Sequence, residues 1–555
     1  MRNRIPGLAF AGLLLVGGAG ALAQAEAERR LDAAIARLRA ALGPEARLEI
    51  GGRRADPVTG NVTLTDVVLT EGADRFTMPE VRLADVAEDR IGRAELLRPR
   101  HAATDGSGAS GEAERVVMGG LALPVAGKRF ELAGLVLDAL EVEALRGSAP
   151  DKGSLRLERL ALREASRVRF GAGTLEGLEY AGHGADPQGF RLGRVALEGL
   201  VLPLAGDDFD PLAFRAGRLA IENASLRDPA QNVTLALGRF DLRDWLPGRT
   251  TALAVEGVQL GSPASKLGQV EVSLARLDAS GIDAARSLAA IMAGVQVPDP
   301  LPGTPQRLAM EGLDAALDGQ PVFTLARLLT EGALENGIAR GALAAEGLRI
   351  TPPAGQADWL DGLGYREIAG RLELRGNAPR AGGRLEIEPL SIAWENAASL
   401  GLAAQLDGMP AAPAEGAPLD PESTAAQMIA ARLAALTLTL RDHGLLGRVL
   451  AQQAREQRVP EARLREQWAQ MALAMPLPGA PAAGGRRGAP QGKGTAAADP
   501  LAPMRQAVAS FIRQPGTLEI SLRPPKPLPF ATLGGLAGGN AGETVRLLGL
   551  SIVTR

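Results

Sequence analysis

Histidine occurs three times in the 555 residues, at His101, His183 and His443, and cysteine not at all. This composition removes thiolate nucleophiles, thiolate-bound zinc and iron–sulfur clusters. No two histidines stand at metal-ligating spacing, and neither H-E-x-x-H nor G-x-S-x-G is present. His101 and His183 fall in loop-like composition and read as solvated. Asp442 and His443 adjoin at a predicted helix start. With a serine or threonine brought alongside, they would supply the base and orienting carboxylate of a hydrolase. Read locally, the same pair is a helix cap with a solvated neighbour. Gly171-Ala-Gly-Thr-Leu-Glu-Gly177 is similar to a dinucleotide loop, but its last glycine comes one residue late and no helix pattern follows, so it reads as a turn. Carboxylates are scattered, without a D-x-D-x-D-G calcium loop. Asn61-Val-Thr63 and Asn232-Val-Thr234 fit the glycosylation sequon, which carries no meaning behind a bacterial-type leader. The residues therefore predict no catalytic, cofactor-binding or metal site, and no enzyme.

What remains is an address and an architecture. Arg2 and Arg4 precede an uncharged apolar run, Ile5 to Ala23, that closes on Ala21-Leu22-Ala23. These are the charged, apolar and small-residue parts of a secretory signal, with Ala21 and Ala23 at the cleavage site. The run is also just long enough to span a bilayer as an uncleaved inner-membrane anchor. Either way the rest of the chain lies outside the cytoplasm, in the periplasm. Ala25 to Leu42 then reads as an amphipathic helix, with Leu31, Ile35, Leu38 and Leu42 on one face and Gly43-Pro44 as its stop. Its polar face mixes both charge signs, which fits packing on a sheet better than lying on a membrane.

Strand signals dominate to about residue 405. A loose unit, x-[LMA]-x-x-[VL]-x-[LI], recurs at Phe76–Leu83, Phe130–Leu137, Leu155–Leu162, Phe190–Leu197 and Phe214–Ile221, with a variant at Val233–Phe240. Apolar residues two apart share one face of a strand. The three-residue step between the pairs breaks the alternation, and a turn or bulge there restores the face. Leucine-rich repeats share the L-x-x-L-x-L core, but need a fixed period and an Asn at a set offset, which are missing. Gly281 to Gly294 predicts a short helix capped by Asp283, with Leu288, Ile291 and Met292 on one face. Strands resume at Arg371–Leu374 and Arg384–Ala393.

Composition marks Ala102–Glu112, Gly408–Pro421 and Pro476–Pro500 as loops or linkers, the last as disordered. The expected organisation is a leader or anchor over 1–24, a helix and β-rich body over 25–407 and a linker over 408–421. A strand with a helical hairpin follows over 422–475, a disordered linker over 476–500 and a helix–strand segment over 501–555. In the hairpin, Asp442 caps a helix carrying Leu446, Val449, Leu450 and Ala454. Pro460 opens a second helix lined by Leu464, Trp468, Met471 and Met475. In the last segment, Asp499-Pro500 opens a helix with Met504, Val508, Phe511 and Ile512 on one face. Thr517–Leu522 is a strand, Glu543–Leu548 a helix and Gly549–Arg555 a final strand. The fold class is mainly β with helical insertions (α+β), in an elongated, curved antiparallel sheet of short amphipathic strands with a helical C-terminal part.

Hydrophobic residues make up 46% of the chain and aromatic ones 3%. A large core is therefore available, while stacking platforms for sugars or bases are scarce. Only five of the 61 basic residues are lysine and the formal net charge is -3, with no long basic run, so no nucleic-acid partner is expected.

The leader, the helix behind it and the series of L-x-x-L-x-L strands resemble periplasmic envelope proteins of the AsmA/TamB-like superfamily and their uncharacterised bacterial relatives. Asp56-Pro-Val-Thr-Gly60 before a strand looks like the opening of those proteins. Leu438–Leu446 and Phe511–Leu518 are similar to segments of the same relatives. The resemblance covers most of the chain and carries over no catalytic residues. It implies a long curved β-sheet whose concave apolar face shelters lipid chains between membranes. Those proteins are usually anchored in the inner membrane, whereas this N-terminus reads as cleavable. The function expected is a non-enzymatic envelope protein that binds phospholipid, another envelope lipid or an envelope protein along an apolar sheet face, with membrane association through the N-terminus and no cofactor. The alternative is a periplasmic scaffold whose sheet is covered by its own helices.

Overall fold

The computed structural model describes residues 20–42, 46–56, 59, 61–123, 136–183, 188–202, 209–264, 268–353, 355, 357–418, 431–474, 499, 501–535 and 541–555. Strands dominate, all their pairings are antiparallel, and helices gather toward the C-terminus. The chain divides into two compact units, Met1–Val272 with Asp283–Ala289, and Ser273–Ile282 with Ala290–Arg555. The division falls inside strand pattern, away from the Pro/Gly-rich stretches.

The first unit opens with α1 (Gly20–Leu42), five residues earlier than the periodicity predicts. Ala21 and Ala23 lie in its first turn, and the leader before Gly20 lies outside the described residues. No helix among the described residues is long and apolar enough to cross a membrane. The strands that follow are β1 (Ala46–Ala55), β2 (Val62–Glu71), β3 (Asp74–Val86), β4 (Arg90–Leu97), β5 (Arg100–Ala103), β6 (Ser110–Glu112) and β7 (Arg115–Ala122). After them come β8 (Val136–Ala149), β9 (Gly153–Ser166), β10 (Arg169–Ala181), β11 (Gly189–Val201), β12 (Ala216–Asp228), β13 (Val233–Trp245) and β14 (Thr251–Ala264). They form a meander in which β4 and β5 share one edge of β3, and β6 and β7 share one edge of β8. The loop expected over Ala102–Glu112 is therefore a hairpin between β5 and β6, because small and polar residues also suit a solvated strand pair. Of the copy at Phe130–Leu137, only Val136 and Leu137 are described, and Phe214 and Arg215 precede β12.

The three-residue step has a structural cause. In β2, Leu64 and Val67 are both buried while Thr65 and Asp66 between them are exposed. Opposite, Met78 and Val81 of β3 are buried around Pro79 and Glu80. The register does not slip: Val67 faces Met78 and Thr65 faces Glu80. Both strands therefore insert one residue together, and Asp66 absorbs the turn in the left-handed region at φ 54°. Such steps line up into two seams. In one, Ala144, Glu158, Gly177, Gly193, Asn223 and Gly238 take equivalent register positions on β8 to β13. In the other the positions are Gly120, Asp138, Glu164, Gly171, Gly199 and Gly217. Left-handed residues alternate along each seam: Ala144, Gly177 and Asn223 in the first, Gly120, Glu164 and Gly199 in the second. Close approach explains the glycine at an intervening position, where a Cβ on Gly193 would stand 2.9 Å from the Asn223 Cβ. The Gly171–Gly177 segment is thus part of β10, with a seam at each end, rather than a turn.

α2 (Ala284–Met292) follows β15 (Gly268–Ile282) and is capped as predicted, the Arg286 N–H donating to Asp283 Oδ1 at 3.1 Å. Its buried residues are Ala285 and Ala290, while Ile291 and Met292 are exposed, contrary to the predicted face.

In the second unit, β16 (Gln306–Leu317), β17 (Gln320–Glu335), β18 (Ile338–Ile350), β19 (Ile368–Pro379), β20 (Gly383–Trp394), β21 (Ala398–Met409) and β22 (Arg432–Asp442) pair in order, with α3 (Asp358–Gly362) before β19. Of the linker expected over 408–421, Gly408 and Met409 end β21 and residues 419–421 lie outside the described residues; β22 pairs with β21 along most of its length. Three helices come next: α4 (Leu445–Gln457), α5 (Glu461–Ala474) and α6 (Ala502–Arg513). β23 (Thr517–Leu522), β24 (Leu528–Pro529), α7 (Phe530–Gly535), α8 (Ala541–Leu548) and β25 (Leu550–Thr554) complete the unit. α4 packs on α5 through Leu450, Ala454 and Leu464. α6 packs on α5 through Ala469, Ala472 and Ala509, and also against β23 and β25. Arg513 donates to both carboxylate oxygens of Glu466 at 2.9 and 2.8 Å, and this hydrogen bonding holds the carboxyl down to about 2. Met471, predicted on the apolar face of α5, is exposed because the alanine face meets α6 instead. Met475 and the 476–500 linker, apart from Asp499, lie outside the described residues.

Candidate binding face

With the seams in place, β11 and β13 present one apolar face at spacings of two, three, two and three residues, and their antiparallel neighbours β10 and β12 at three, two, three and two. In β11 it reads Phe190, Leu192, Val195, Leu197 and Leu200. In β13 it reads Leu235, Leu237, Phe240, Leu242 and Trp245. Register aligns these positions into rows. Leu160, Leu175, Val195, Ile221, Phe240 and Val255 lie directly opposite one another from β9 to β14. The second unit builds the same kind of row from Leu390, Leu402, Leu438, Ile520 and Ile552.

The two ends of the first unit differ in what covers this face. α1 packs Leu31, Ala34, Ile35 and Leu38 into one core with β1 to β4 and β7, where Leu64, Met78 and Met118 are fully buried. Across β11 to β14 the face opens: Phe190, Leu226, Leu235 and Leu260 are 36–40% exposed. At the strand ends toward Trp245, the Phe209 and Phe214 rings lie 5.6 Å apart and tilted at 53°, and Phe214 meets the Trp245 ring edge-on at 5.8 Å. The Trp245 indole N–H donates to the Pro211 carbonyl at 3.1 Å.

The opposite face is charged. Glu143, Arg159, Glu176, Arg194, Glu222 and Arg239 alternate in sign on successive strands. Asp241, 3% exposed, sits between alanines at 220 and 254, and this leaves room for Arg218, Arg239 and Arg243 to close over it at 2.9–3.3 Å. Hydrogen bonds, that from Arg243 foremost, hold its carboxyl well below the usual carboxylate range against the opposing effect of burial. The visible sign of this cluster is Arg-x-Asp-x-Arg at 239–243, three charges on one strand face.

A groove of about 950 Å³ crosses this charged face near the ends of β5, β6 and β8 to β11. Its floor is the backbone of His101, Gly111, Gly147, Leu155, Tyr180 and Phe190, which are direct cross-strand partners. Strand alternation puts their neighbours on the groove side. Arg100, Glu112, Arg146, Arg156, Glu179 and Arg191 form one wall.

The histidines do not converge. His101 belongs to β5 rather than a loop, with Nε2 2.7 Å from Asp74 Oδ1 and its ring 4.8 Å from that of Phe76, because the short β5 pairs with β3. His183 is exposed. Ser399 Oγ lies 3.2 Å from His443 Nε2, since Ala398 pairs with Asp442. The carboxylate of Asp442, however, is turned to cap α4, accepting the Leu446 N–H at 2.8 Å and the Gly444 N–H at 3.0 Å. The orienting partner a hydrolase needs is thereby occupied. No cluster of three or more metal-ligating side chains exists among the described residues.

A family described as "Uncharacterized protein" matches residues 391–555, from the end of β20 through β25. No curated protein matches the chain.

Proposed function

We propose that the protein is a non-enzymatic envelope protein that shelters lipid acyl chains along the apolar face of its sheet. The observation that carries this reading is the contrast within the first unit. One helix packs on the face over β1 to β4 and β7, while aligned rows of leucine, isoleucine, valine and phenylalanine continue over β10 to β14 without such a cover among the described residues. Contiguous exposed apolar surface on this scale is a binding feature, and parallel rows of aliphatic side chains suit extended hydrocarbon. The resemblance to AsmA/TamB-like proteins and the leader-like N-terminus support the same reading and a periplasmic location. The test is to express the chain with its own N-terminus, recover it from the periplasm under native conditions, and analyse an organic extract by mass spectrometry. Phospholipid at near-stoichiometric amounts is the expected result. A lipid-free, stable monomer would overturn the proposal in favour of a scaffold.

A further inference from the structure

The groove on the charged face carries more positive charge than its surroundings explain. Five arginines line it, at 75, 100, 146, 156 and 191, against Glu112 and Glu179. Glu112 stands 3.8 Å from Arg100 and Glu179 3.2 Å from Arg191, and Arg156 reaches Glu158 at 3.7 Å. Arg75 and Arg146 have no ion-pair or hydrogen-bond partner among the described residues. In a chain of net charge -3 this surplus is local.

At the same strand ends, on the opposite, apolar face of the sheet, lies a second feature. Phe190 faces Leu226, Leu226 faces Leu235 and Leu235 faces Leu260. All four are among the large apolar residues left exposed, and all lie within a few residues of a strand end. At roughly 4.8 Å between strands they make an apolar edge about 15 Å long. Single exposed leucines need no explanation, but four in register on adjoining strands do. One rim of the first unit thus joins an arginine-rich groove to an apolar edge.

We propose that this rim docks on a bilayer carrying anionic phospholipid. The leucines and Phe190 enter the interface, while Arg75 and Arg146 meet lipid phosphates, which a guanidinium fork matches with paired hydrogen bonds. The inference rests on the lipid-binding reading above and gives lipid a point of entry at the strand-end edge of the apolar face.

The test is sedimentation of the periplasmic chain with phosphatidylcholine vesicles, with and without phosphatidylglycerol, comparing wild type with Arg75→Glu/Arg146→Glu and with Leu226→Ser/Leu235→Ser. Any contribution from the N-terminus is common to all three. Circular dichroism checks that the variants fold. Wild type should bind the phosphatidylglycerol vesicles in a salt-sensitive manner, the arginine variant more weakly by over about thirtyfold, and the leucine variant should lose binding to both vesicle types. Equal binding by wild type and the folded arginine variant would overturn the proposal. So would displacement by excess inorganic phosphate, which would mark a free-anion site, or wild type that ignores both vesicles. Co-purified lipid is scored separately: if it persists while vesicle binding is absent, the rim fails and the acyl-chain reading stands. Vesicle binding that depends on Arg75 and Arg146 in a chain free of co-purified lipid would overturn the acyl-chain reading alone.

Discussion

At the scale of single residues the chain spends its polar groups on holding strands and helix ends. Asp241 is the clearest case, a carboxylate buried under three guanidinium groups. Asp241→Asn should destabilise the protein by about 3 kcal/mol at neutral pH, because three arginines are left around an uncharged group. The folded-state pKa is depressed, so the carboxylate's contribution is complete above the unfolded value near 4 and is lost as pH falls toward the lower folded value. Urea midpoints measured from neutral pH downward should therefore show a constant gap between wild type and variant until about pH 4, then a shrinking one. A gap that ignores acid would refute this account. Asp442 and His443 separate cap from chemistry. Asp442→Ala should cost about 1 kcal/mol through the lost cap of α4, and His443→Ala should stay within about 0.5 kcal/mol, as exposed substitutions do. A larger cost for the histidine would point to a role for its contact with Ser399.

At the scale of elements, the seams let amphipathic strands keep one apolar face over a dozen residues. A strand in strict alternation with the same 2-3-2-3 spacing would turn half its leucines to the charged side. Gly120 shows what the seam demands. Its φ is 65°, and a Cβ would run into the Asp138 carboxylate. Gly120→Ala should cost about 1–3 kcal/mol, combining left-handed strain with the clash. Gly147→Ala is the comparison: φ is ordinary and the nearest atom to a Cβ is the Ser110 carbonyl at 3.6 Å. It should be neutral or stabilising by up to about 1 kcal/mol, as lost freedom in the unfolded chain predicts. Thermal unfolding of the pair decides the matter, and equal shifts would remove the seam argument.

At the scale of the whole molecule, what matters is which apolar surface is covered. In the first unit α1 packs on the face over β1 to β4 and β7; in the second, α6 rests on β23 and β25. The middle row of the open face offers a direct test of the proposed function. Ile221→Lys puts a charge opposite Val195 and Phe240, where its long stem can still reach water. The variant should fold and recover no phospholipid from the periplasm by mass spectrometry of the extract. Unchanged lipid in a folded variant would place the ligand elsewhere.

The β class of the chain, the three-residue step and the caps at Asp283 and Asp442 were legible from sequence alone. Each is written within about ten consecutive residues, as apolar spacing or as a side chain that bonds its own backbone two to four positions on. Three further features belong to the tertiary structure. Ile291, Met292 and Met471 carry an apolar pattern yet stay exposed, because burial depends on which partner arrives, and alanine faces took that role. Ala102–Glu112 has loop composition yet forms a hairpin, because β3 and β8 offer free edges to pair with. The division between open and covered face follows from where α1 comes to rest. Hydrogen bonding and side-chain alternation are local and leave a local record. Coverage is a contest between distant surfaces, and only packing settles it.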